Sequence, residues 1–358
     1  VNGYKMLKLV QFLKIGNAGI IELDRPDALN ALNIEMVELI AEHLKLWHKD
    51  ETVGHVIICS SSDKAFCSGG DVRQAVSFIK KDPEGLSAEP YFKAEYSLDV
   101  IIATYSKPII SLVNGVVMGG GLGLCRNGSI TVVSEMIKCA MPETAIGLFP
   151  DVGASLFLRL PGVSIGLMLG MTGQVIGAGD AIHWQIADRC VPFKSFNKMK
   201  KELCFSKSEL TSLENVIAKF EILPPETVLA KQEDLIRKLF QGSVLQIVKN
   251  LKQSLGVNEY VKGWYKALST RCPTSIHVIH YLLSVLPPSN SLSEALYMDF
   301  QIACKMMRRD DFSEGVRAVL IDKDHSPIWS PDRVDFITEN EIENIFKFDQ
   351  SLRLYDMK

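Results

Sequence analysis

The sequence predicts an α/β fold over residues 1–195, followed by a mainly helical region over residues 196–358. Three observations carry this. Strand, helix and strand signals alternate in units of roughly thirty to fifty residues. Glycine clusters stand where apolar runs give way to helical spacing, at Gly69-Gly70 and at Gly119-Gly120-Gly121. Beyond about Cys190 the strand signals fade and helical periodicity takes over.

In chain order, Val10 to Leu23 reads as a hairpin, two apolar stretches around Gly16-Asn17-Ala18-Gly19. Asp24 to Asp27 is a loop. Ala31 to Lys49 has helical spacing through Leu32, Met36, Leu39, Ile40, Leu44 and Trp47. His55 to Cys59 is a short buried strand and Ser60 to Lys64 a turn. Val72 to Lys81 and Tyr91 to Thr104 are helical, separated by a polar loop from Lys81 to Pro90. Ile109 to Met118 reads as one buried strand, with short strands at Ile130 to Val133 and Ile137 to Ala140. Phe196 to Leu255 is a run of amphipathic helices broken at Pro224-Pro225. Leu292 to Arg309 is a further long helix after the break Pro287-Pro288-Ser289-Asn290.

With 358 residues the chain can bury a sizeable core. A net charge of −3 without a basic stripe argues against nucleic acid as a partner. The eight cysteines are scattered, without C-x-x-C or Cys/His ligand spacing, and fit reduced core residues of an intracellular protein rather than a disulfide framework or a zinc site. No apolar run reaches the length of a membrane span. The first residues, V-N-G-Y-K-M-L-K-L-V, show neither a secretory h-region nor an Arg/Ser-rich transit peptide; a start at Val leaves a cleaved targeting segment open.

The stretch Asn114 to Asp151 concentrates the chemistry. Three glycines follow an apolar run, and a backbone without side chains lets N–H groups approach developing negative charge. Ala65-Phe66-Cys67-Ser68-Gly69-Gly70-Asp71 is a second glycine loop between strand and helix, where Asp71 also fits a plain N-cap. Glu143 and Asp151, each preceded by proline, lie in apolar surroundings that can raise carboxyl pKa values for acid, base or nucleophile roles. Each also has an ordinary reading, as a helix-start residue and as a cap. Glu95 reads as a surface helix glutamate. No histidine neighbours a G-x-S-x-G elbow, which disfavours a Ser-His-Asp hydrolase. G-G-G-L-G is neither a spaced dinucleotide fingerprint nor a Walker loop.

Together, Arg25 to Leu32 (R-P-D-A-L-N-A-L), Phe66 to Asp71, Asn114-Gly115 through Gly121 and Pro142-Glu143 resemble the crotonase (enoyl-CoA hydratase/isomerase) superfamily. Within it the chain most resembles the 3-hydroxyisobutyryl-CoA hydrolase family, through Met141 to Gly153, Asp311 to Asp324 and Pro327 to Pro331. The resemblance implies a ββα spiral core with a helical C-terminal region. It implies that the N–H groups of Gly70 and Gly120 form an oxyanion hole and that Glu143 is the principal catalytic carboxylate, attacking the thioester or activating water. Asp151 would assist water or bind the substrate hydroxyl. Glu95 and Phe66 would line the substrate site, and Asp27, Ala28 and Leu29 would meet the CoA adenine end. No metal or redox cofactor is implied; CoA arrives as part of the substrate, an acyl-CoA of valine breakdown. A homo-oligomer is left open, as is the compartment: mitochondrial matrix in a eukaryote, cytoplasm in a bacterium. Hydratases of the superfamily carry a second catalytic glutamate where this chain has Gly123, so hydrolysis is expected over hydration. Asp27 stands where many relatives have lysine, and Ala154-Ser155-Leu156 replaces a more glycine-rich version. The alternatives are an enoyl-CoA hydratase/isomerase or a non-catalytic acyl-CoA-binding paralogue.

Overall fold

A computed structural model describes residues 9–82, 88–348 and 354; the N-terminal reading on residues 1–8 and most of the loop between Lys81 and Pro90 lie outside them. The apolar runs become strands β1 (Val10–Ile15), β2 (Ala18–Leu23), β3 (His55–Ser60), β4 (Ala65–Cys67), β5 (Ile109–Val113), β6 (Val116–Met118), β7 (Ile130–Val133), β8 (Lys138–Ala140) and β9 (Arg189–Cys190). A six-stranded sheet has the order β1-β2-β3-β5-β7-β9, antiparallel at β1/β2 and otherwise parallel. A second, three-stranded parallel sheet has the order β4-β6-β8.

The two sheets grow in step. After the β1/β2 hairpin and its helix, each turn of chain from β3 to β8 adds one strand to the large sheet, the next to the small one, and then a helix. The helices of this part are α1 (Ile34–Lys49), α2 (Val72–Ile79), α3 (Glu89–Ala103), α4 (Gly120–Arg126), α5 (Ala154–Phe157), α6 (Val163–Thr172) and α7 (Ala178–His183). α1 starts two residues after its bridge at Leu32, where the Asn33 side chain caps the Met36 N–H at 2.9 Å. The expected single strand Ile109 to Met118 is corrected here: it breaks at Asn114-Gly115, where the chain leaves one sheet for the other. Gly115 has φ +67, and a Cβ there would lie 2.9 Å from the Ala65 nitrogen, so only glycine fits the crossing.

Residues of the large sheet alternate between two buried layers. Ile21, Leu23, Val56, Ile58 and Val133 face the main core with the helices of the site. Ile20, Ile57, Ile110, Leu112 and Val132 face α8 (Phe196–Cys204) and α9 (Leu210–Ala218), through Met199, Leu203, Leu213 and Ile217. Burial on both faces is why these strands read as unbroken apolar runs instead of alternating ones. The remaining helices are α10 (Glu233–Leu239), α11 (Val244–Gln253), α12 (Glu259–Thr270), α13 (Pro273–His280), α14 (Leu292–Met306), α15 (Asp310–Val316) and α16 (Glu339–Ile345). α14 lies against α3, and its Phe300 meets Tyr96 edge-on at 6.2 Å. The last part of the chain thus reaches back to the first.

Candidate active site

Each loop of the site leaves the C-terminal end of a strand of the small sheet. β4 runs into Ser68-Gly69-Gly70-Asp71, β6 into Gly119-Gly120, and β8 into Met141-Pro142-Glu143. Parallel strands in register deliver their following loops to one edge, which is where such sheets bind ligands. α3 passes beside these loops and brings Glu95 against two of them. A Cβ built on Gly70 would lie 3.1 and 3.2 Å from the Glu95 carboxyl oxygens, and one on Gly120 would collide with Glu95 Oε1. That same Cβ on Gly120 would lie 3.3 Å from the Gly70 nitrogen, so the two amides stand side by side. Among the described residues, neither the Gly70 N–H nor the Gly120 N–H meets an acceptor. Two free donors in one slot are what a thioester oxygen needs as it becomes an oxyanion.

Gly119 turns the chain with φ +50, and a Cβ there would sit 2.5 Å from Glu143 Oε1. Glu143 opens a 3-10 turn, Glu143–Ile146; it is buried, and its Oε2 has no hydrogen-bond partner among the described residues. Asp151 is buried too, and its Oδ2 accepts a 2.5 Å hydrogen bond from Tyr96 Oη. Directly after it the chain reverses through Val152 (φ +51) and Gly153 (φ +84). A β-branched residue in that region carries about 1–3 kcal/mol of strain. Asp299 of α14 holds the reversal by accepting from the Gly153 N–H at 2.8 Å.

The site is acidic and buried. Burial, then the neighbouring Asp151, pushes Glu95 up to about 8 and lifts Glu143 well above the carboxylate range. Burial also raises Asp151, to about 6, with the Tyr96 hydrogen bond opposing it. Asp99 and Asp299 are held well above their ordinary value, chiefly by burial. Among the described residues no ion pair relieves any of these carboxyls. Arg271 draws the Glu143 value down through space, while its own N–H groups donate to the Thr172 carbonyl at 3.1 and 2.8 Å.

The structure therefore brings Gly70, Gly120, Glu95, Glu143 and Asp151 together. The surface reading of Glu95 is corrected: it is only 6 % exposed, because α3 is wrapped by core on most of its circumference. Asp71 does not cap α2 through its side chain; it pairs with Arg25 at 2.7 Å. Phe66 is wholly buried within β4, and its carbonyl accepts from Asn30 Nδ2 at 3.0 Å. Asp27, Ala28 and Leu29 form an accessible turn, tied to the Gly70 loop by the Ser68 N–H donating to the Leu29 carbonyl at 3.0 Å. His277 and His280 bond separate carbonyls, those of Val334 and Gly242.

Residues 18–346 match the family described as enoyl-CoA hydratase/isomerase. A 3-hydroxyisobutyryl-CoA hydrolase, mitochondrial, of Xenopus laevis is 40% identical over 343 residues, covering 93% of this chain and 87% of the relative. The Homo sapiens protein of the same name is 36% identical over 356 residues, covering 96% and 89%. The chain belongs to the 3-hydroxyisobutyryl-CoA hydrolase family. In structure it is similar to an enoyl-CoA hydratase from Rhodobacter sphaeroides 2.4.1, with TM-score 0.87 and 33% identity over 95% of this chain and 97% of the other. It is also similar to a carnitinyl-CoA dehydratase from Mycobacterium thermoresistibile, with TM-score 0.86 and 30% identity over 96% and 97%. The fold is thus the crotonase ββα spiral with a helical C-terminal region.

For a member of the 3-hydroxyisobutyryl-CoA hydrolase family the surroundings of Gly123 are informative. A Cβ there would lie 2.8 and 2.9 Å from the two Asp99 oxygens and 2.8 Å from Val152 Cβ. The space that a side chain at 123 would use is already filled, by Asp99 of α3 and by Val152. Sequence reasoning missed Tyr96, Asp99 and Asp299. The signal was the i, i+4 pair Glu95 and Asp99 in an otherwise apolar helix, since two acids on one face of a buried helix must share an interior site.

Proposed function

We propose that this chain hydrolyses the thioester of 3-hydroxyisobutyryl-CoA, or of a closely related short 3-hydroxyacyl-CoA, releasing the hydroxy acid and free CoA as a step of valine breakdown. One observation carries the chemistry: two unpaired glycine N–H groups converge beside Glu143 while position 123 offers no second acid. The Gly70 and Gly120 amides bind the carbonyl oxygen. A water oxygen, or Glu143 itself followed by water, bonds to the carbonyl carbon; the C–S bond breaks, and the departing sulfur leaves as the thiol after taking up a proton. Either route balances to one water consumed. Asp151 stands across the acyl pocket to assist water or to accept from the substrate hydroxyl, and Glu95 walls the slot. The Asp27–Leu29 turn receives the CoA end. No metal or redox cofactor is required by these steps. Among the described residues no three His, Cys, Asp or Glu side chains are arranged to hold a metal ion. No helix among them is long and apolar enough to cross a membrane. The names of the frog and human relatives include "mitochondrial", and we extend that location to this chain as a proposal.

The test is loss of thioester absorbance on 3-hydroxyisobutyryl-CoA and on crotonyl-CoA, with and without a chelator. Glu143→Gln is expected to lower kcat by at least about a hundredfold while CoA binding stays measurable. Chelator should leave the rate unchanged. Hydration of crotonyl-CoA with no thiol release would overturn the reading in favour of a hydratase.

A further inference from the structure

We propose that Tyr96 is a positioning residue of this reaction: its phenolic O–H selects Asp151 as the carboxyl that carries the negative charge in an otherwise neutral acidic cluster. The inference rests on the thioesterase reading above and adds to it the residue that decides where the charge sits.

The geometry is specific. Tyr96 is wholly buried, stacked on Phe92 at 6.1 Å and edge-on to Phe300 at 6.2 Å, so its ring has no second orientation available. Its single O–H proton is directed to Asp151 Oδ2 at 2.5 Å. Asp151 in turn is fixed by its own backbone, with the left-handed Val152 and Gly153 behind it and Asp299 clamping the Gly153 N–H. The acids around it have no such O–H donor among the described residues: Asp299 accepts the Gly153 N–H through Oδ2, and Asp99 a hydrogen bond from the Asn127 side chain. Glu143 Oε2, Asp99 Oδ2 and Asp299 Oδ1 are each buried with no hydrogen-bond partner among the described residues. A buried carboxylate oxygen without a donor is best kept protonated, whereas one that accepts an O–H is stabilised as the anion.

The groups that face Asp151 come from three elements. α3 supplies Glu95, Tyr96 and Asp99, the turn after β8 supplies Glu143, and α14 supplies Asp299. The cation Arg271 acts on Glu143 and not on Asp151. With so many carboxyls buried in one space, a single ionisation meets the least repulsion, and the phenol decides which carboxyl takes it. The directions agree: Asp151 is held at about 6 and Glu95 at about 8, and Glu143 and Asp99 are also raised well above their ordinary values, all first by burial. Splitting acids in this manner separates the roles of base and acid in one site.

The experiment is the pH profile of kcat/KM for thioester cleavage by wild type and Tyr96→Phe, with [4-13C]Asp NMR titration of both proteins. The resonance missing from Asp151→Asn identifies Asp151. Loss of the O–H is expected to move the acidic limb of the Tyr96→Phe profile upward by about one pH unit, so that the rate falls about tenfold on the acidic side and little on the alkaline side. The Asp151 carbon should titrate higher by the same amount. A profile that merely drops in height, with limb and carbon titration unmoved, would assign Tyr96 to packing alone and overturn the proposal. If Tyr96→Phe does not fold, the wild-type titration still decides: an Asp151 carboxyl that stays protonated after other cluster acids have ionised overturns it. A wild type that cleaves no short acyl-CoA fails the thioesterase reading separately, and the NMR titration remains the measure of Tyr96.

Discussion

Glu95 shows what a site residue costs its own fold. Its carboxyl is held at about 8 in the folded protein, against an ordinary 4.5, by burial and by Asp151. The folded state therefore keeps a proton that the unfolded chain releases, and stability falls as pH rises across that window, from about 4.5 to about 8. At about pH 7 the loss is on the order of 3 kcal/mol. Glu95→Gln keeps the size and removes the ionisation. Denaturant unfolding across pH should find the variant more stable than wild type near pH 7 and no better near pH 4, at roughly these values. Parallel curves for the two proteins would contradict the burial of a neutral acid. Nothing in Ala94-Glu95-Tyr96 alone reveals this, because an exposed and a buried helical glutamate share the same local pattern. Gly70, Gly120, Glu143 and Asp151 were legible earlier, since glycine at a strand end and acid after proline are local signals with few structural alternatives.

At the scale of elements, α3 and α4 divide one task. α4 opens with Gly120, Gly121, Leu122 and Gly123; Glu95 and Asp99 of α3 fill the space beside Gly120 and Gly123, while Cys67 of β4 fills that beside Gly121. Gly123→Glu is accordingly expected to lose about 1–3 kcal/mol or more through overpacking against Asp99 and Val152. It should gain no crotonyl-CoA hydration, and Asp99→Ala in the same chain should restore part of the lost Tm. A Gly123→Glu protein that melts like wild type would mean that the space is not filled. The strands and helices around this pair were readable from periodicity, and their bounds shift by only a few residues. What periodicity could not show was the break at Asn114-Gly115. Both halves are apolar on all sides, and the change of sheet depends on a backbone angle, not on a pattern.

On the scale of the molecule, the passage from strands to helices along the chain was visible because two-sided burial writes continuous apolar strands; all strands but the two-residue β9 end by Ala140. The closeness of the two regions was not. Asp299 clamping the Gly153 turn, and Phe300 against Tyr96, are contacts between residues some 150 to 200 positions apart, which only the folded chain brings together. The cysteines are spread through this same interior. All eight are buried and unbridged, with Cys59, Cys67, Cys139, Cys272 and Cys304 pushed up to about 12, chiefly by burial. The thiolate is the reactive form, so an aromatic disulfide dye should find less than about one equivalent on the native protein. In denaturant it should find eight. Several equivalents in the native state would contradict the packing. An enzyme that liberates a thiol would then be colourless to its own assay: while the chain stays folded each unit of dye counts one turnover, and the moment it unfolds its cysteines announce the failure in the same colour.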